Sequence, residues 1–60
     1  MLTTSQIIEI TKWIQSWKAT YKENPTFLEC ITWLEWKYKN KNFNKNDKEI
    51  ILDVLKNNQN

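Results

Sequence analysis

Residues 21–29 read YKENPTFLE, and the way this stretch breaks and restarts a helix decides the fold. The ring of Pro25 clashes with helical geometry at Asn24, so a helix arriving from the N-terminal side stops near Glu23. A second helix opens at once. Thr26 and Glu29 have the spacing of a capping box, or Asn24 caps with Pro25 at the first helical position. A link of only two or three residues makes the two helices antiparallel neighbours.

Working outward toward the start, Ile7, Ile10, Ile14, Trp17 and Tyr21 recur every three or four residues, the period of a half-buried helix. Glu9, Thr11, Lys12, Gln15, Ser16 and Lys18 fill the opposite arc. Thr3 and Gln6 have capping-box spacing, and Leu2 with Ile7 sits at the spacing of a hydrophobic staple. The first helix is therefore expected over residues 3–23, with Trp13, Trp17 and Tyr21 stacked along its inner side as core.

Toward the end, Phe27, Ile31, Leu34 and Tyr38 form the inner stripe of a helix over 26–39. Residues 39–46 read KNKNFNKN, a loop, because asparagine side chains compete for nearby backbone groups. Phe43 is the one apolar residue available to pin that loop. A third helix over 46–57 begins at Asn46 with Glu49 three residues on, and presents Ile50, Ile51, Val54 and Leu55. Residues 58–60 read as a frayed tail. No segment alternates apolar and polar for long. The fold class is all-α: one small three-helix domain over 1–60, an antiparallel helical hairpin plus a short third helix, with a homodimer as a candidate assembly.

Composition bounds the chemistry. A 60-residue chain leaves about 40% of its unfolded surface exposed after folding, and its core supplies only about 3–5 kcal/mol. One cysteine closes no internal disulfide, and one cysteine without histidine makes a poor zinc site. The absence of glycine excludes Gly-rich phosphate loops and nucleophile elbows. The absence of histidine removes the usual general base near neutral pH. Cys30, lacking such a base, reads as a small core filler. Glu49 and Asp53 share a helix face but have Lys48 and Lys56 beside them, and read as solvated charges. The expectation is a protein without catalytic residues, cofactor or metal.

Targeting signals are also missing. The longest apolar run, Ile50-Ile51-Leu52, is far below the ~20 residues of a membrane span, and MLTTSQII lacks the regions of a signal peptide. With a lone thiol, these features give a cytoplasmic expectation. Glu9 and Glu23 offset the lysines of the first helix, which weighs against a membrane-surface role.

Two features remain as carriers of function. With Phe27 at zero on a wheel of about 100° per residue, Trp36 falls at about 180° and Trp33 at about 240°, away from the inner stripe. Tryptophan is enriched at binding hot spots, and Trp33, Trp36, Lys37 and Asn40 form the candidate partner-binding set. The alternative is that the third helix covers the two rings. Ile8 is a second apolar residue off its stripe. The other feature is residues 37–48, where Lys37, Lys39, Lys41, Lys45 and Lys48 face only Asp47, a local charge of +4 in a chain of +2. These five lysines are the candidate contacts for a nucleic-acid backbone. Against this, all nine cations are lysine, and arginine is the usual reader of guanine. A helix-turn-helix is a poor fit too, because the gap between the last two helices is too long for that motif.

Lys, Asn and Ile supply 24 of the 60 residues, the bias of an AT-rich coding sequence. The sequence therefore leads to the expectation of a small non-enzymatic protein that binds another protein stoichiometrically. Its format is that of a phage or plasmid accessory protein acting on a host factor, with a second copy of itself as a further candidate partner.

Overall fold

The computed structural model describes residues 2–58 and holds three helices, α1 (Thr4–Tyr21), α2 (Phe27–Tyr38) and α3 (Lys45–Asn57), with no strand among those residues. Each helix starts on a reciprocal cap. The Thr3 hydroxyl accepts from the Gln6 N–H at 3.1 Å while the Gln6 side chain accepts from the Thr3 N–H at 3.0 Å. Thr26 and Glu29 repeat the arrangement at 3.2 and 2.8 Å. Thr26 is thus the cap of α2 and Asn24 is not; the Asn24 Oδ1 is buried and accepts no hydrogen bond among the described residues. Such caps satisfy orphan donors of the first turn and are each worth about 1 kcal/mol.

The third cap differs from the sequence expectation. It is Asn44 with Asp47, not Asn46 with Glu49, and α3 begins at Lys45. This pair has the same three-residue spacing as the other two caps, and a distant contact adds to it. The Asp47 carboxylate accepts from the Leu2 N–H at 2.9 Å and, more weakly, from the Asn44 N–H at 3.4 Å. Asp47 is consequently fully buried, although its sequence context is a run of solvated lysines.

The C-termini of α1 and α2 both end on a left-handed lysine, Lys22 (φ 62°, ψ 22°) and Lys39 (φ 54°, ψ 33°). The Lys22 N–H donates to the Lys18 carbonyl at 2.9 Å, closing α1 two residues short of the expected Glu23. Glycine usually takes this position because it has no Cβ to clash, and the chain has none.

The hairpin register is antiparallel. Trp13 stacks on Trp33, and Lys37 lies 3.7 Å from Glu9, so contacts climb one helix as they descend the other. α3 runs beside α1 in the same direction. Its start is tied to Leu2 through Asp47, and its end to Lys18, whose Nζ donates to the Asn58 carbonyl at 3.2 Å. Asn58 is therefore a cap, not part of a frayed tail: its Nδ2 donates to the Val54 carbonyl at 2.7 Å. Residues 59–60 lie outside the described ones.

The core holds Leu2, Ile10, Ile14, Cys30, Leu34, Ile51 and Leu55. Ile7, Phe27, Ile31, Tyr38, Phe43, Ile50 and Val54 pack half-buried around it, so Phe43 does hold the loop against the core. The chain spans 30 × 19 × 19 Å with a radius of gyration of 10.7 Å, close to the ~10 Å of a compact chain this long. Two expectations need correction. Tyr21 is 58% exposed, because α3 gives out beside Lys18 and leaves the last turn of α1 uncovered. On α2 the buried centre lies between Cys30 and Leu34, rotated by about 50° from the expected Phe27–Tyr38 stripe.

Two measurements check this account. Lys39→Gly relieves the left-handed strain and should raise unfolding stability by about 0.5–1 kcal/mol in urea titrations, whereas Lys39→Val should lower it. The Leu2 N–H, then the Asn44 N–H, hold the Asp47 carboxyl below its ordinary value. A depressed folded-state pKa adds stability above the unfolded value and loses it as pH falls through the folded one. Asp47→Asn should therefore lower the melting temperature at pH 7, with the gap to wild type closing below about pH 4.

Candidate functional site

The rotation of α2 places its tryptophans. Trp33 lies about 80° from the buried centre and is half-buried; Trp36 lies about 140° away and is 74% exposed. α3 packs elsewhere and does not cover Trp36. On the open side, α1 and α2 enclose a groove of about 480 Å³ lined by Trp13 and Trp17 from α1 and by Leu28, Glu29, Thr32, Trp33 and Trp36 from α2. A second depression of about 390 Å³ is lined by Trp33, Trp36, Lys37 and Lys39. Trp36 and Trp33 border both, so Trp36 forms a ridge between an apolar groove and a lysine-lined hollow.

The groove floor is a ladder of rings. Tyr21 lies 4.5 Å from Trp17, Trp17 5.3 Å from Trp13, and Trp13 stacks on Trp33 at 5.1 Å and 19°. Trp33 then meets the edge of Tyr38 at 6.5 Å and 87°. All four separations fall in the favourable range for aromatic pairs, each worth about 0.5–1.5 kcal/mol beyond area burial. Lys37 Nζ sits 5.1 Å above the Trp33 ring and 5.9 Å from that of Tyr38, a cation–π cap over the ladder. Trp36 is the one tryptophan outside the ladder among the described residues. The Trp17 Nε1 is buried and donates to no described residue, an imperfection of about 1–3 kcal/mol in the groove wall.

Comparison with protein-family models, curated proteins and solved structures finds no match to this chain.

Of the four residues singled out for partner binding, Trp33, Trp36 and Lys37 come together. Asn40 does not: its Oδ1 accepts from the Asn42 N–H at 2.9 Å and shapes the loop. Of the five lysines, Lys37 and Lys39 share the hollow beside Trp36, while Lys41, Lys45 and Lys48 are exposed and line neither depression. Leu28 went unnoticed in the sequence although it is 71% exposed. Its signal was available, because Leu28, Thr32 and Trp36 follow one another at four-residue steps along one face. Trp13 and Trp17 were assigned to the core; they are half-buried and line the groove with their free faces.

Chemistry elsewhere is sparse. Cys30 is fully buried, and burial, with the neighbouring Glu29 charge adding to it, pushes its thiol up to about 11. Glu49 and Asp53 are exposed on α3. No three metal-ligating side chains gather among the described residues, and no helix is long and apolar enough to cross a membrane. A thiol of this pKa is ionised to only about one part in ten thousand at pH 7. Cys30 should therefore resist a disulfide reagent in the native protein and react fully once urea unfolds it, followed by absorbance of the released thiolate.

Proposed function

We propose that this chain is a non-enzymatic binding protein that docks another protein stoichiometrically on the face formed by Trp36, the groove beside it and Lys37. The supporting observation is the 74% exposure of Trp36 next to three half-buried tryptophans. A contiguous apolar surface of this kind on a small chain marks an interaction site. Tryptophan supplies large contact area with few rotamers to freeze, and a lysine at the margin adds orientation.

An unreactive Cys30 and a sequence without histidine support the non-enzymatic part of the reading. The composition supports the narrower one: a phage- or plasmid-type accessory protein, working in the cytoplasm, that inhibits or modulates a host factor. Nucleic-acid binding is the weaker alternative, since only Lys37 and Lys39 of the five lysines border the surface where Trp36 could stack on a base.

The decisive variant is Trp36→Ala. Because the ring is exposed in the single chain, unfolding stability compared at concentrations where both proteins are monomeric should stay within about 0.5 kcal/mol, and the helical circular dichroism should not change. Affinity for the captured partner, measured by surface binding, should fall about 30-fold or more. Undiminished capture by folded Trp36→Ala would overturn the reading. Trp33→Ala is less informative, because it also breaks the stack on Trp13.

A further inference from the structure

The two most exposed large apolar side chains, Trp36 (74%) and Leu28 (71%), lie two helical turns apart on the same line of α2, with the small side chain of Thr32 midway between them. A two-fold axis through Thr32 would set each Leu28 against Trp36 of a second copy, twice over, as an isologous contact requires. We propose that a second copy of this chain occupies the aromatic face, with the two α2 helices antiparallel about Thr32. The inference rests on the reading of that face as a protein-docking surface and names its occupant.

Two further observations favour a copy of the same chain. The first is shape: the ridge and the groove adjoin, and Trp17 and Leu28 line the end of the groove that Trp36 of the other copy would reach. The second is charge. Glu29 stands at the start of this face and Lys37 at its end, both on the Trp33 side of the line. Antiparallel docking brings each Glu29 to the level and side of Lys37 of the other copy, within reach of a lysine whose pair with Glu9 is partly exposed, whereas parallel docking leaves the two charges at opposite ends of the contact. A chain whose core holds seven buried apolar residues gains from sealing that face. A target protein would use the same side chains, so target binding and self-association compete.

Sedimentation equilibrium of the purified chain tests this. Wild type should sediment at twice the 7.4 kDa of one chain, and Trp36→Ala should raise the dissociation constant about 30-fold or more. Thr32→Lys and Thr32→Glu each place like charges on the axis and should sediment as monomers with unchanged helical content. Mixed in equal amounts, they should re-form a heterodimer. A wild type that stays at 7.4 kDa up to millimolar concentration overturns the inference and leaves the docking reading to its own capture test. So does a dimer that survives Thr32→Lys, or a Lys/Glu mixture that fails to associate.

Discussion

The Asp47 carboxylate accepts from the N–H of Asn44 at its own helix start and from that of Leu2, 45 positions away in the chain. The bond from Leu2 brings the first turn of α3 to the start of α1, and the Asn58 contacts with Gln15 and Lys18 bring its last turn to the far end of α1. A hairpin of two helices has two broad sides, and a single additional helix can cover only one. Once Asp47 and Asn58 commit α3 to its side, the other has only the side chains of α1 and α2 themselves to close it.

Those side chains are mostly aromatic, for an energetic reason. Aliphatic residues gain chiefly by complete burial, which the open side does not provide. Rings gain from each other's faces and edges even when half wet. The series from Tyr21 through Trp17, Trp13 and Trp33 to Tyr38 ties α1 to α2 where no third helix reaches, and Lys37 lies over it with an ion pair to Glu9 that is too exposed to add much alone. The ladder thus explains three of the four tryptophans as structural. It does not explain Trp36, which takes no part in the four ring pairs of the ladder.

What the sequence disclosed divides along the same line between local and non-local causes. Caps at Thr3 and Thr26 are set by residues three positions apart; the first formed as read, and the second is one of the two alternatives the sequence offered. The all-α class and the hairpin followed from helical periodicity and from Pro25. The Asn44–Asp47 cap has the same three-residue spacing and was passed over for Asn46 with Glu49, because two such pairs overlap there; what no window around residue 47 contains is the Leu2 bond that buries Asp47. The inner stripe of α2 was misplaced because the larger rings of Phe27 and Tyr38 were weighted above Cys30, whereas packing selected the smaller side chain for the centre. The outward position of Trp36 was legible from its angle. That Trp13 and Trp17 would border the same groove was not, because their angle on α1 says nothing about which side α3 will take.

The contrast between Cys30 and Trp36 carries the last step. One helix buries a small thiol completely and leaves its largest side chain in water. A larger residue at position 30 would overpack the buried core it sits in, so the cysteine is explained by the fold of the single chain. Nothing in that fold requires an indole at position 36, where a polar residue would serve solubility better. Burial within the single chain accounts for the small residue, and the docking proposed for this face would account for the large one.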